Sequence, residues 1–373
     1  MPDLSIILLS AGHSSRFGAV TKKQWLRVEN TPLWLELAKK FRNYTSNDKI
    51  IITAAENEIK YMKKFADFEF VVGGESRQES LLKALKKVSS PYVLVSDIAR
   101  ACVDKEMIDK ILKHKGKGDC IVPYLKVSDT VVYKNETIDR EEVKLIQTPQ
   151  LSKTEILKKA LSQEKIFTDE SGAVKSIGGK IVYVEGSPEA HKITYFHDLK
   201  KLTCLKPPSN DIFVGEGFDV HPFEEGKPMY LGGVKIDSSY GFKAHSDGDV
   251  AIHALIDSLL GAAGIGDIGE LFPDTDKAYK NIDSKVLLKK SADFVKSVGF
   301  EIINADITIM AQKPKLSDYK DKMRKTIASI LEIEPFKVNI KATTTEKLGF
   351  IGRGEGVAVS AVSSLKFYRW VGT

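Results

Sequence analysis

The sequence predicts an α/β domain built on a mostly parallel sheet, followed by an α+β domain. Three observations carry this. In the first half, short apolar runs alternate with amphipathic stretches at the spacing of βαβ units. In the second half, strand and helix patterns alternate less regularly. Between them lies Lys206-Pro207-Pro208-Ser209-Asn210, a short and fairly stiff connector. The expected domains are residues 1–208 and 209–373, and a chain of 373 residues is long enough for each to bury a core.

Leu4 to Leu9 is an apolar run read as a buried strand. It leads into Ser10-Ala11-Gly12-His13-Ser14-Ser15-Arg16-Phe17-Gly18. A loop of small residues after a strand brings backbone N–H groups close to a phosphate, and Arg16 and Lys23 add fixed positive charge. The glycine spacing fits neither a Walker A loop nor GxGxxG. Helices are expected over Trp34 to Phe41, Glu56 to Phe65 and Arg77 to Val88, with strands over Lys49 to Thr53, Phe68 to Val72 and Tyr92 to Val95. Parallel sheets bind ligands beyond their C-terminal strand ends, so Ser10, Gly73-Gly74 and Asp97 should converge on one edge. Two readings of Asp97 stand: a carboxylate holding Mg2+ against a nucleotide's phosphates, or a helix N-cap. Val131 to Thr137 reads as an excursion with β character. Thr148-Pro149-Gln150 and Phe167-Thr168-Asp169-Glu170 are polar loops around a helix. Ile181 to Val184 is a strand, and the last helix ends near Leu205.

Past the connector, a strand runs from Ile212 to Val220, with a hairpin around Leu231-Gly232-Gly233. Helices follow at Val250 to Asp257, Ser284 to Val298 and Asp318 to Leu331, and strands at Phe300 to Met310, Lys337 to Ala342 and Val357 to Leu365. Asp219 and His221 share one face of the first strand, and His253 lies on the first helix. One Asp, two His and no Cys suit zinc with three protein ligands and an open fourth position, which argues for catalysis. On spacing alone, a polar strand end and one satisfied histidine fit as well.

Composition excludes other classes. Hydrophobic content of 42% and charged content of 28% are ordinary for a globular domain. A net charge of +6 suits phosphorylated substrates; without a basic-aromatic stripe it does not suggest nucleic acid. No run reaches membrane-spanning length, and Met1 to Leu9 lacks the features of a signal peptide. Cys102, Cys120 and Cys204 are far apart and form no CxxC, so reduced thiols in a cytoplasmic protein are expected.

Phe218-Asp219-Val220-His221, Ala244-His245-Ser246-Asp247-Gly248-Asp249-Val250, Gly266-Asp267-Ile268-Gly269, Leu271-Phe272-Pro273-Asp274 and Lys341-Ala342-Thr343-Thr344-Thr345-Glu346-Lys347-Leu348-Gly349 together resemble the motif set of 2-C-methyl-D-erythritol 2,4-cyclodiphosphate synthase. The resemblance runs from about Asp211 to the end of the chain. It implies ring closure of a cytidylylated substrate phosphate with loss of CMP. It implies zinc, or a similar divalent cation, on Asp219, His221 and His253, and Mg2+ at Glu346. His245, Ser246, Asp267, Ala311, Lys315, Leu316 and Thr344 match positions that bind the CDP-bearing substrate, in sites between neighbours of a trimer. Arg353 matches one end of a cavity that accepts an isoprenoid diphosphate, or is simply a surface turn residue.

The first domain is similar to 2-C-methyl-D-erythritol 4-phosphate cytidylyltransferase, a Rossmann-like nucleotidyltransferase. The match rests on Ser10-Ala11-Gly12 with Arg16 and Gly18, Lys23-Gln24, Gly73-Gly74 with Arg77 and Ser80, Asp97 with Arg100, Asp139-Arg140 with Thr148-Pro149-Gln150, Thr168-Asp169-Glu170 and Lys192-Ile193-Thr194. Departures are Ser96, Ile98 and Ala101 around Asp97, and Thr21-Lys22 where the family has a segment with proline ahead of the lysine. The resemblance implies CMP transfer from CTP to methylerythritol phosphate with Mg2+. Arg16, Lys23, Lys192 and Asp97 would be catalytic. Ser10, Ala11, Gly12, Gly18, Gly73 and Ser80 would bind CTP, and Thr130, Arg140, Thr148 and Thr168 the acceptor. It further implies a dimer through this domain, and with the trimer a possible hexamer, with a kinase of the same pathway as a possible partner. Two alternatives stay open for the first domain: another polyol phosphate as acceptor, or a nucleotide-binding scaffold without catalysis.

Overall fold

The computed structural model describes residues 3–244, 246–273 and 282–371. The chain divides into two compact units, one spanning residues 3–208 with residues 370–371, the other Ser209–Arg369. The end of the chain thus departs from the boundary expected from sequence. Trp370 is buried in the first unit, where its indole N–H donates to the Arg27 carbonyl at 2.7 Å.

An eight-stranded, mainly parallel sheet forms the first unit. Its order is Lys144–Ile146, Cys120–Lys126, Gln150–Lys153, Tyr92–Asp97, Leu4–Leu9, Ile50–Ala54 and Glu69–Val72, with Ile181–Glu185 pairing with Cys120–Lys126. Leu4–Leu9 lies parallel to both neighbours, with Leu9 opposite Thr53 and Asp97. The Leu4–Leu9 strand is buried on both faces, as its unbroken apolar run requires. Helices Arg77–Leu85, Thr154–Leu161 and Glu170–Ser176 press Leu81, Ala84, Leu157, Ala160 and Val174 onto Ile7, Val93 and Val95. Ser76 and Asp169 cap two of these helices through their side chains.

Three differences from the sequence reading stand out. A helix over Lys105–Lys113 and the strand Cys120–Lys126 were not expected. Asp97 ends a strand rather than capping a helix; the next helix takes Asp104 as its cap. Cys102 and Cys204 are joined in a disulfide, their Cα atoms 5.8 Å apart, which corrects the expectation of reduced thiols for this pair. Spacing gave no hint of the pairing, because the fold brings together residues 102 positions apart. Cys120 remains a buried thiol whose pKa is pushed up by burial.

The second unit is a five-stranded sheet, ordered Tyr240–Phe242, Ile212–Glu225, Gly356–Phe367, Phe300–Met310 and Val338–Thr343, with only the last pair parallel. Helix Val250–Ala262 packs against it. Along Ile212–Glu225 the inward positions include Gly215, Gly217, Asp219 and His221, whereas Ile212, Val214, Phe218 and Val220 face outward and are exposed. The two glycines set the helix distance. A Cβ at Gly215 would meet Ser258 O at 2.2 Å, and one at Gly217 would meet Ala254 O at 2.0 Å. Asp249 fixes the helix start. It is fully buried, caps Ile252 N–H, and accepts from Gly232 N–H at 2.8 Å and Gly233 N–H at 2.6 Å in the hairpin turn. Both glycines hold positive φ, as a tight hairpin turn demands.

No described helix is long and apolar enough to cross a membrane.

Because the obstacle at Gly217 is backbone, no rotamer change relieves it. Gly217→Ala is expected to destabilise the second unit by about 3 kcal/mol, read as a lower urea midpoint. An unchanged midpoint would mean that the helix retreats at no cost.

Candidate active sites

In the first unit, the C-terminal ends of the parallel strands open into a cavity of about 310 Å³. Ala11, Gly12, Arg16, Lys23, Ser80, Asp97 and Lys192 line it, as does Arg77. Ser10 lies just beneath, buried, its N–H donating to Thr53 Oγ1 at 3.1 Å. Gly73 is needed for close approach, since a Cβ there would sit 2.2 Å from Ala11 Cβ. Gly74 N–H donates to Ser80 Oγ at 2.9 Å, so Ser80 shapes the loop. Gly18 terminates the turn Ser15–Phe17 with φ at 76°.

Asp97 is the electrostatic centre of this cavity. Arg77 Nε donates to one carboxylate oxygen at 3.0 Å and Lys192 Nζ to the other at 2.6 Å. Burial opposes its charge, but Arg77 and Lys192 hold the carboxyl well below the ordinary range. Arg77 also forms a fork to Glu170, at 2.7 Å and 3.3 Å. Glu170 has no exposed surface, and burial pushes its carboxyl upward against the pull of Arg77. Lys23 donates to Ile193 O at 3.1 Å. Burial lowers its pKa, and the like charges of Lys192 and Arg16 add to the effect. Four cations, Arg16, Lys23, Arg77 and Lys192, lining one cavity with a buried carboxylate suit a polyanionic ligand.

Arg16 and Lys192 also line a neighbouring cavity of about 540 Å³, with Arg100, Gln147, His191 and Asp198. Thr148 stands at its edge in sequence, and its hydroxyl accepts from Asp97 N–H at 3.3 Å. Arg100 is held by Ala190 O at 2.7 Å and Ile146 O at 3.3 Å. Thr130, Arg140 and Thr168 are exposed and line neither cavity. Arg140 donates to Ser128 O at 2.6 Å, within its own arm.

In the second unit, Asp219, His221 and His253 meet as the sequence suggested. Asp219 Oδ2 lies 3.3 Å from His221 Nε2 and 3.2 Å from His253 Nδ1. Ligand atoms from all three fall within 4.8 Å of one another. Donors around a tetrahedral zinc stand roughly 3.4 Å apart, given its bond lengths, so the set fits a small divalent cation. The outer bonds fit too. His221 Nδ1 contacts Gly248 O at 3.0 Å, leaving Nε2 its lone pair. His253 Nε2 contacts Ser284 Oγ at 3.0 Å, and Ser284 bonds Asp247 in turn, leaving Nδ1 to ligate. Burial lowers the His221 pKa. Burial also opposes charge on His253, but the Asp219 hydrogen bond and negative charge hold it above its ordinary value.

This triad opens onto a cavity of about 310 Å³ that Ser246, Asp257 and Gly269 also line. Asp267 is exposed and caps the short helix Ile268–Leu271 through Glu270 N–H at 2.8 Å. His245 and Asp274 lie outside the described residues. Ala311, Lys315, Leu316, Thr344 and Glu346 cluster instead past the ends of Phe300–Met310 and Val338–Thr343, where Ala311 N–H donates to Thr343 O at 3.0 Å. Thr344 Oγ1 donates to Glu346 at 2.9 Å. None of these five lines the triad's cavity. Arg353 is exposed, paired with Glu355 at 2.7 Å, and borders a separate cavity of about 620 Å³.

Sequence reasoning named Arg77 and Glu170 only as motif members, and gave Ser284 no role. A basic residue three after Gly74, and a serine opening a predicted helix, were the available signals.

Comparison with known proteins accounts for both units. A family model described as 2-C-methyl-D-erythritol 4-phosphate cytidylyltransferase matches residues 4–204, and the YgbB family model matches residues 212–366. The chain is 57% identical over 371 residues to the bifunctional enzyme IspD/IspF of Aliarcobacter butzleri, covering 99% of each. It is 57% identical over 372 residues to that of Campylobacter fetus, again covering 99% of each. The solved structure of the bifunctional IspDF from Campylobacter jejuni superposes with a TM-score of 0.89 at 52% identity, covering 99% of each chain. This chain therefore belongs to the bifunctional IspD/IspF enzymes of the methylerythritol phosphate pathway, with a CTP-dependent cytidylyltransferase domain followed by a cyclodiphosphate synthase domain.

Proposed function

We propose that the cavity around Asp97 transfers CMP to 2-C-methyl-D-erythritol 4-phosphate, and that the Asp219–His221–His253 cavity closes the ring of the later cytidylylated 2-phosphate. The observation that carries the second assignment is the triad itself, with its imidazole nitrogens oriented by Gly248 and Ser284.

In the first reaction an anionic phosphate oxygen attacks the α-phosphorus of CTP, and pyrophosphate leaves. Anion meets anion, so positioning and charge neutralisation outweigh general-base catalysis. Arg16 and Lys23 hold the triphosphate, with Ala11 and Gly12 lining its cavity, Ser10 supporting the loop from beneath, Gly18 ending the turn that carries Arg16, and Gly73 and Ser80 shaping the nucleoside side. Lys192 neutralises charge at the α-phosphate. Asp97, paired with Arg77 and Lys192, would be the carboxylate that holds Mg2+ beside the acceptor. Thr148 lies beside the acceptor's cavity; Thr130, Arg140 and Thr168 bind it once the arm moves or a second subunit contributes. The gathering of Arg16, Lys23, Asp97 and Lys192 at one cavity supports catalysis over a scaffold role. Pyrophosphate release from CTP should require methylerythritol phosphate and fail with ribitol phosphate; release with ribitol phosphate alone would overturn the assigned acceptor.

For the second reaction, Asp219, His221 and His253 would hold a divalent cation, zinc by their donor set, which would supply Lewis acidity and a template. Asp219 and the two histidines fix the diphosphate end, with His245, Ser246 and Asp267 around it. Ala311, Lys315, Leu316 and Thr344 receive the cytidine side, and Glu346 would hold Mg2+. CMP leaves as the 2-phosphate oxygen bonds to the β-phosphorus. The imidazoles ligate only when neutral. Because the His253 pKa stands above 6.5 in the metal-free protein, affinity falls as pH drops through that raised value and recovers above it. Zinc affinity measured by chelator competition should weaken about tenfold per pH unit below it. A flat profile would remove His253 from the ligand set.

Two observations support assembly. The triad cavity and the Thr344–Glu346 cluster are separate within one chain. The outer sheet face exposes Ile212, Val214 and Phe218 by 57%, 66% and 58%, a row suited to cover by a second copy. A trimer through this unit, joined by a dimer through the arm of the first, would close into a hexamer; a pathway kinase and an isoprenoid diphosphate at Arg353 are further candidate partners. Mass measured in dilute solution should be a multiple of three chains, and a monomer would overturn it.

A further inference from the structure

Glu58 is a buried carboxylate for which the catalytic assignments above have no use. It sits on helix Glu56–Met62, has no exposed surface and does not line the nucleotide cavity. Its surroundings are aromatic: Trp25 stacks on Tyr61 at 5.1 Å and packs on Phe65 at 5.8 Å. A charge in such a place persists only with hydrogen-bond partners. The partners come from one short segment. Lys22 Nζ pairs with Oε1; Trp25 Nε1 donates to Oε2 at 2.8 Å and Gln24 Nε2 at 3.3 Å.

These donors bracket Lys23. The turn Lys23–Trp25 follows Lys22, whose backbone is extended at φ −71° and ψ 144°. Lys23 and Gln24 line the cavity, whereas Lys22 does not. The Lys22 ammonium is therefore turned away from the ligand and committed to Glu58. A φ of −71° is also one that a proline ring fixes covalently.

We propose that Glu58 is a positioning residue for nucleotide binding, clamping Lys22 and Trp25 so that Lys23 is presented to the triphosphate, and that the Lys22–Glu58 pair does the work that a proline at position 22 would do. Glu58 acts through the turn and touches no reacting atom. The proposal rests on the reading that Lys23 binds the triphosphate of CTP. It also explains the departure at Thr21-Lys22: the lock is electrostatic, and its other half lies 36 residues away.

The test is steady-state pyrophosphate release by the full chain, with the cyclodiphosphate synthase activity and thermal unfolding followed in each variant. Lys22→Ala and Glu58→Gln should each raise KM for CTP about tenfold while kcat changes less than about threefold, since the loss is one of ground-state and transition-state binding alike. Synthase activity should be unaffected. Adding Lys22→Pro to Glu58→Gln should return KM to within about threefold of the parent, an outcome that loss of packing alone would not give. Should Glu58→Gln unfold the first unit, Lys22→Ala and Lys22→Pro carry the comparison, because the Lys22 side chain is 20% exposed. Unchanged KM in Lys22→Ala overturns the proposal. So does a loss equal to that of Lys23→Ala that proline fails to rescue, which would mean that Lys22 meets the nucleotide itself. Lys23→Ala with unaltered KM overturns the reading of the cavity instead.

Discussion

A carboxylate withdrawn from water must find donors, and in this chain the donors it finds are the segments that bear the chemistry. Glu58, Glu170 and Asp249 have no exposed surface. Glu58 gathers the turn around Lys23. Glu170 grips Arg77, which in turn steadies Asp97. Asp249 ties a hairpin turn to the first turn of the helix that carries His253. Each contact joins elements distant in sequence, and each is directional in a way that apolar packing is not. The arm with Arg140 has no such buried carboxylate and is exposed.

The two cavities handle charge in opposite ways. Around Asp97 the protein supplies a surplus of cations, Arg16, Lys23 and Lys192, whose mutual repulsion is relieved when a polyphosphate arrives. Around Asp219 further carboxylates, Asp257 and Asp247, stand near the triad, and their charge favours the protonated form of His253. The side chains alone thus give the two cavities opposite character, rich in cations in one unit and in carboxylates in the other.

Much of this was legible in the sequence, for identifiable reasons. The apolar run at Leu4–Leu9 and the helices after it obey strong local periodicities, so the parallel sheet and the edge holding Ser10, Gly73 and Asp97 followed. Asp219 and His221 read as a pair because alternation along a strand is strict. The strand Cys120–Lys126 contains Pro123 and is flanked by charged loops, which weakened its sequence pattern. The Cys102–Cys204 bond, the Glu58 clamp and the Ser284–His253 contact depend on residues brought together from afar, and local spacing carries no trace of them. The resemblance to known families named residues that the fold gathers at two cavities, but it could not say that the Thr344–Glu346 cluster stands apart from the triad within one chain.

Trp370 alters what modularity means for this polypeptide. The chain leaves its first unit at Pro208, completes the second, and then returns to seat an indole on the Arg27 carbonyl. In topological terms the synthase is inserted into the transferase, near its end, and not simply appended to it. A gene fission at the proline connector would leave the transferase without its final buried aromatic and the synthase trailing an unsatisfied one. The return of Trp370 to the first unit thus makes clean separation of the two halves costly.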